Sequence, residues 1–578
     1  MGTPTGRVRE ETIVEPARAV VASLRAHRVD TVFGLSGSHV IQIYNALADA
    51  PEIRCVTVKH ENNAAIAAEV YGRLTGRPGV VIVTAGPGAT NSLSGVGGAY
   101  AAGAPLVHIS GGVPVGAPCE AFHGVDDADF LLRAFTPVTK WSARVEKVGE
   151  IPAALARAFE IAVAGRPGPT HVEIAESALR AGPSAFEQVP PRRTSVADGP
   201  AGAAPPDLDR LVAHIDAARR VTIVAGKGAW WPRVSAALVD FAQRVGAVVL
   251  HTWDGHGAMP TTHPLSAGVW YPNDRGTREG TRLVNDADLV VGIGVRPGTE
   301  AAAGLLGAVG SRCVLLDAGD EARAEAGVVF PGVEALAEGV AALGRRCTAR
   351  RAPEDALEIC ERQRAQLRQG LAVEMERYRA ARPWHIGAAI ASLARRMTPD
   401  VLVVTDVSNV KLWAPLLLPA FAPESYVQAG TWGAMGYALP GVIAAGLARP
   451  DKKVVGLAGD VAFLMSSSDF ITLCELRLPV VLAVHHDGQI GMINNMVSRA
   501  YGRVYATAIG EVDFVGYARS FGALGIRVDD PGQLDAAWDS ALAAERPVLL
   551  ELRAGYDFPW PYPVGRFIDQ AKGASAHA

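Results

Sequence analysis

The sequence predicts an α/β protein built from three doubly wound parallel-sheet domains, and three observations predict it. The chain has 578 residues, whereas single hydrophobic cores stop growing at roughly 250–300 residues, which implies about three domains. Short apolar runs of strand length alternate with helical periodicity through three successive blocks, the pattern of parallel sheets covered by helices on both faces. Segments of different composition separate the blocks: 185–206 is rich in Pro, Arg, Ala and Gly, and 354–382 is charged and helical.

In the first block, residues 15–27 place Ala17, Val20, Val21 and Leu24 on one helical face. Strands are predicted at 31–33 (ending at Gly34), 54–58, 79–84 and 106–110, with an alanine-rich helix at 63–74. The second block has strand-like runs at 221–225, 248–252, 289–293 and 314–316. The third has them at 401–405, 454–458, 480–484 and 548–552. The implied domains are 1–185, 207–345 and 380–560, followed by a tail at 561–578. The segment Phe558-Pro559-Trp560-Pro561-Tyr562-Pro563 cannot be helix interior.

Composition narrows the class. A formal net charge of −4 without a long basic run gives no sign of a nucleic-acid partner. No apolar stretch reaches the ~18 residues of a membrane span, and Arg7, Arg9, Glu10 and Glu11 interrupt any signal-peptide core. Six cysteines without C-x-x-C spacing indicate neither a zinc site nor a disulfide framework. A reduced, cytoplasmic compartment is expected.

Two regions carry chemistry. The run 454–458 ends in Gly459-Asp460, which places a carboxylate at the C-terminal edge of a parallel sheet, where open α/β sheets bind ligands. Asp487 follows the next run, so two hard oxygen ligands at neighbouring strand ends would suit Mg²⁺ and a phosphate. Gly-Asp after a strand is also what a plain turn looks like. In the first block His60-Glu61 follows a strand and opens a helix, where a carboxylate is stabilised by the helix N-terminus or simply caps it. Gly86-Pro87-Gly88-Ala89-Thr90-Asn91 lies between strand and helix, and in isolation reads first as a tight turn.

Taken together these segments resemble the thiamine-diphosphate-dependent enzymes, in particular their acetolactate synthase-like and benzaldehyde lyase-like branch. The match spans most of 15–180 and 385–555. It rests on Lys59-His60-Glu61-Asn62-Asn63-Ala64-Ala65, the Gly86–Asn91 turn, Gly430-Thr431-Trp432-Gly433-Ala434-Met435-Gly436, Ala458-Gly459-Asp460, and Gly488-Gln489-Ile490-Gly491-Met492, in family order. The resemblance implies a pyrimidine-binding first domain, a middle domain and a diphosphate-binding last domain. It implies that Glu61 hydrogen-bonds N1′ of the cofactor's aminopyrimidine. Gly433 would offer its carbonyl to the 4′-amino group, and Met435 would hold the cofactor bent. Asp460 and Asp487 would ligate the metal through side chains and Gln489 through its backbone oxygen. Gly86, Gly459, Val461, Asn409 and Met492 would complete the cofactor surroundings, with Met492 facing the substrate. It also implies a homodimer or homotetramer with active sites at the subunit interface, and a small-molecule substrate.

Three departures stand out. The family's Gly-Asp-Gly is Gly459-Asp460-Val461, and valine cannot take a positive φ cheaply. The family's Asn-Asn is His486-Asp487, which should tighten the metal and repel the diphosphate. A unit charge ~4 Å away is worth up to about 4 kcal/mol at an effective dielectric of 20, and a protonated His486 would offset part of it. In the middle block Gly226-Lys227-Gly228 is not a P-loop, and Val314-Leu315-Leu316-Asp317 keeps only a strand-end acid, so an empty nucleotide fold is favoured over bound FAD.

On the substrate side, His39 in Gly34-Leu35-Ser36-Gly37-Ser38-His39 stands where benzaldehyde lyase-like members carry a substrate-contacting histidine, and is expected to transfer or orient a proton. Phe122-His123 offers His123 as a second polar group, or as a surface loop. The tryptophan that many acetolactate synthases carry shortly after Met492 is missing. The expected activity is cleavage or decarboxylation of a 2-oxo acid or 2-hydroxy ketone followed by acyl transfer. A 2-hydroxyacyl-CoA lyase or decarboxylase, and a degenerate non-catalytic paralogue, are the alternatives.

Overall fold

The computed structural model describes residues 12–117, 121–186, 190–191, 193–198, 208–272, 277–319, 327–348 and 353–556. The chain divides into two compact units, Met1–Asp198 and Gly199–Ala578. The proline-rich tail from 557 onward and Cys119 lie outside the described residues.

The first unit contains β1 (Thr12–Val14), β2 (Thr31–Leu35), β3 (Arg54–Thr57), β4 (Gly79–Val83), β5 (Leu106–Gly112), β6 (Trp141–Val145), β7 (Pro169–Ala175) and β8 (Ser184–Phe186). Six of these form a parallel sheet in the order β3-β2-β4-β5-β7-β6, and β1 pairs antiparallel with β8. β4, β5 and β7 are buried along their whole length, which is why their sequence is apolar without alternation. Helix Pro16–Ala26 starts on a proline and buries Ala17, Val20, Val21 and Leu24, proline being suited to a first helical turn.

Sequence pattern alone does not single out β6 and β7, and their chemistry explains it. In β7 the apolar run is broken by His171 and Glu173, both buried, His171 partnered at both ring nitrogens and Glu173 through Oε1. His171 bonds Ser110 and Ser142, at 3.0 and 2.9 Å, and Glu173 takes an ion pair from Arg144. Satisfying a buried polar group makes an otherwise costly burial tolerable.

The second unit contains two sheets. β9 (Val221–Ala225), β10 (Val248–His251), β11 (Ser266–Val269), β12 (Leu289–Ile293), β13 (Cys313–Ala318) and β14 (Gly327–Phe330) form the first, in parallel order β11-β10-β9-β12-β13-β14. Helix Pro353–Ala380 leads to the second. It consists of β15 (Val401–Thr405), β16 (Tyr426–Gln428), β17 (Lys453–Gly459), β18 (Val481–His485), β19 (Leu524–Val528) and β20 (Val548–Leu552), in parallel order β16-β15-β17-β18-β20-β19. Register sets Thr405 beside Leu457 and Gly459 beside His485. Asp406, Asp460 and Asp487 therefore all emerge at one carboxyl edge. The fold is α/β with three six-stranded, all-parallel sheets.

Candidate functional site

In the first unit the register pairs Leu35 with Val83 and Val83 with Ser110, so the connections after β2, β3, β4 and β5 leave from one edge. Glu61 is the first residue of helix Glu61–Thr75 and is buried. His60 caps that helix by accepting from Asn62 N–H. Asn91 Nδ2 donates to Glu61 Oε2 at 2.9 Å, and no described residue donates to Oε1. Asn91 ends the short helix Pro87–Asn91 entered through Gly86, whose φ of +54 suits glycine.

Gly86 and Gly88 make the turn a meeting point. A Cβ on Gly86 would stand 2.4 Å from the His123 carbonyl oxygen, and one on Gly88 would stand 2.7 Å from Thr84 Cγ2 and 3.4 Å from Glu61 Oε1. His39 is buried, with Nδ1 2.9 Å from Ser38 Oγ and 3.3 Å from Thr84 Oγ1. Its ring stacks on His123 at 5.0 Å between centroids, and the exposed Phe122 stacks on His123 at 4.0 Å. Burial pulls the His39 pKa below the ordinary histidine value, and the Glu176 carboxylate opposes that pull. His123 adopts φ +67, and its buried Nδ1 has no hydrogen-bond partner among the described residues. Glu61, His39, His123 and Gly86, separated in sequence, are thus gathered around one turn.

The second unit holds the other group. A cavity of about 110 Å³ is lined by Asn409, Met435, Gly459, Asp460, Val461, Asp487, Gln489 and Met492, among others. Gly433 is in the exposed crest of the loop before Met435, at φ +71. Asp460 starts helix Asp460–Ser466, and its carboxylate accepts from Val461 N–H at 2.7 Å and Gly488 N–H at 2.8 Å. Burial, and then the neighbouring Asp487, push its pKa up. Burial pushes Asp487 up to about 6.

One expectation is corrected. Val461 lies in right-handed helix rather than at positive φ. The expected strain is therefore absent, because the turn into the helix is made before it. His486 pulls on Asp487 in the expected direction, lowering the Asp487 pKa against the burial that raises it, while the imidazole ring itself is anchored elsewhere. Its Nδ1 sits 2.8 Å from Glu551 Oε1, in a buried cluster that Arg527 and Arg553 also join. His485 lines the cavity instead, its Nε2–H donating to Ala554 O at 2.9 Å.

The residues present fit a diphosphate and a hard divalent cation. Asp487 Oδ2, Ser408 Oγ and Asn409 Oδ1 are buried without a hydrogen-bond partner among the described residues, the condition that a ligand would relieve. A Cβ on Gly491 would meet Asp487 Oδ2 at 2.2 Å and Asn409 Nδ2 at 2.6 Å, so only glycine leaves that cradle open. Two mutually repelling carboxylates supply the oxygen donors that Mg²⁺ prefers. Among the described residues no cluster of three or more His, Cys, Asp or Glu side chains is placed to hold a metal, so further ligands would come from backbone and phosphate oxygens.

The sequence assigns no role to Thr84 or Asn91, which lie within the matching turn motif, or to Ser408 and Asp406. Asp406 is fully buried and accepts from Val407, Gly436 and Ala438 N–H groups. Its signal was a strand-end acid, identical in kind to the one noticed at Asp460. In the first sheet of this unit, strand order reverses between β9 and β12. There a Cβ on Gly294 would stand 2.1 Å from Ala229 N, and one on Gly228 would stand 2.7 Å from Asp317 Oδ1.

Three family models match the chain: the N-terminal TPP binding domain of thiamine pyrophosphate enzymes over 15–128, the central domain over 208–310, and the C-terminal TPP binding domain over 406–552. Among similar proteins, the acetolactate synthase large subunit of Parasynechococcus marenigrum is 29% identical over 98% of this chain and 92% of its own. The acetolactate synthase large subunit of Corynebacterium glutamicum is 29% identical over 94% and 88%, and the acetolactate synthase of Bacillus subtilis 29% over 93% and 93%. With all three domain models matched in order on three parallel sheets, the chain belongs to the thiamine pyrophosphate enzyme family.

Proposed function

We propose that this thiamine-diphosphate-dependent carboligase takes an acyl unit from a 2-oxo acid or 2-hydroxy ketone and delivers it to an aldehyde or ketone, with Mg²⁺ anchoring the diphosphate. The observation that carries the reading is the convergence of Glu61, His39 and His123 on the Gly86–Gly88 turn. When bound, the cofactor supplies a carbon nucleophile that holds the acyl unit and takes up its electron pair.

Each residue then has a task. Glu61 keeps Oε1 open for the pyrimidine N1′ while Asn91 fixes Oε2. His39 and His123 hand protons to and from the substrate oxygen. Asp460, Asp487 and the Gln489 backbone oxygen hold the metal, Asn409 and Gly459 border the diphosphate, and Met435 and Met492 shape the pocket. Gly433 offers its carbonyl to the aminopyrimidine. The domains run 1–185, 207–345 and 380–560, with a tail at 561–578, and the Glu61 half of one subunit serves the Asp460 half of a partner in a homodimer or homotetramer. FAD has no step in this scheme. Cys55, Cys313, Cys360 and Cys474 are free thiols, in keeping with a reduced cytoplasmic setting. No described helix is long and apolar enough to cross a membrane.

The test is incubation with pyruvate and with benzoin, alongside a panel of aldehyde acceptors, thiamine diphosphate and Mg²⁺. A new carbon–carbon product or released CO₂ supports the reading. No product from any donor, with cofactor binding verified by calorimetry, overturns it.

A further inference from the structure

The segment between β16 and helix Ala438–Ala448 carries Gly433 and Met435. Its crest, Thr431 to Gly433, is exposed, and both Gly433 and Gly436 have positive φ. Ordering such a loop only when a ligand arrives would weaken binding. Its two feet, however, are already held, one from the residue that follows β15 and the other from the first turn of the helix Asn409–Leu417. At one foot the buried Asp406 carboxylate accepts from Gly436 N–H at 3.0 Å and Ala438 N–H at 2.7 Å. At the other, Lys411 Nζ donates to Ala429 O at 2.5 Å and Gly430 O at 3.2 Å. An anion takes the loop's donors and a cation its acceptors, and such charge-assisted bonds are the strong ones.

The first sheet of the same unit reinforces the lysine foot. Gln428 Nε2 donates to Trp253 O and reaches Asp254 Oδ1 at 3.4 Å. Trp230 Nε1 donates to Tyr426 O at 3.3 Å. A Cβ on Gly430 would stand 2.9 Å from Lys227 Nζ and 4.0 Å from Asp254 Oδ2. Burial disfavours the charged form of Lys411 and lowers its pKa, and Asp254 and then Asp406 oppose that pull.

We infer that Asp406 and Lys411 are positioning residues that preset the Ala429–Ala438 segment to present Gly433 and Met435, with Asp254 of the neighbouring sheet holding the lysine end. The inference rests on the proposed cofactor role of that loop. Two readouts separate the two claims: hydrogen–deuterium exchange of the unliganded full chain, and thiamine diphosphate affinity in saturating Mg²⁺.

Lys411→Met should raise exchange at 429–433 about tenfold and leave 436–438 near wild type. It should weaken cofactor binding about tenfold, with kcat at saturation changed less than threefold. Lys411→Gln, which keeps a donor, should recover most of both. Unchanged exchange in folded Lys411→Met, or no recovery in Lys411→Gln, overturns the inference. If Lys411→Met does not fold, Asp254→Asn decides: faster exchange at 429–433 supports the inference and an unchanged rate overturns it. Failure of wild type to bind thiamine diphosphate would count against the proposed function while leaving the exchange result to judge the clamp.

Discussion

Asn91 Nδ2 donates to Glu61 Oε2 across 2.9 Å, tying a residue at the end of one short helix to the first residue of another. A hydrogen bond to a charged group contributes roughly 1.5–3 kcal/mol. Asn91→Ala should therefore lower turnover by roughly 10–100-fold at saturating cofactor, with little change in substrate KM. Glu61→Gln should cost at least about 10²-fold, within the range of general acid–base effects. Steady-state kinetics on both variants checks this. An Asn91→Ala enzyme as active as wild type would remove Asn91 from the support of Glu61.

The His39 ring sits between opposing influences. Burial lowers its pKa, and the Glu176 carboxylate, ion-paired with Arg180 at 2.6 Å, raises it. His39 should be neutral at pH 7, with the acid limb of kcat/KM falling below pH 6.5. Glu176→Gln removes the raising charge, so the limb should move to still lower pH. A limb that moves upward in that variant would contradict the electrostatics.

Asp487 sets a second carboxylate beside Asp460, and the two repel each other when ionised. Asp487→Asn should weaken Mg²⁺ binding roughly tenfold and, once metal is saturating, tighten thiamine diphosphate binding. The bound on the relief is about 4 kcal/mol for charges ~4 Å apart at a dielectric of 20. Calorimetric titration of metal and cofactor separately measures the two effects, and weakening of both would refute the repulsion.

His108 is fully buried, and burial pulls its pKa down to about 3. Unfolded histidine takes up a proton near 6.5. Between those values the unfolded state binds more protons, so stability is fully present above pH 6.5 and is lost as pH falls toward 3. By pH 4 this one ring removes about 3 kcal/mol. His108→Gln should lower the pH at which the first unit unfolds, monitored by circular dichroism. An unchanged midpoint would count against His108 as the source.

The three sheets were readable because their central strands are buried on both faces: β9, β12, β15 and β20 begin and end where the apolar runs do. The strands that escaped notice are edge strands or carry paired polar groups. β16, β6 and β14 lie at edges, and His171 and Glu173 interrupt β7. Glu61 and Asp460 could be singled out because a strand or helix terminus stands next to them in sequence. Asn91 and Thr84 could not be given roles, since their roles come from contacts 30 and 45 residues away. The direction of His486 depends on Glu551, 65 residues further on.

The right-handed conformation of Val461 separates what this site requires from what its relatives' spelling suggests. The strand-end carboxylate and the two backbone N–H groups that fix it, from Val461 and Gly488, are indifferent to the side chain at position 461. Those two bonds accept at that position any residue that tolerates a first helical turn, and only the cavity that Val461 lines restricts its side chain. A signature written in three letters would pass over such a chain, whereas one written as a carboxylate and its two donors would find it.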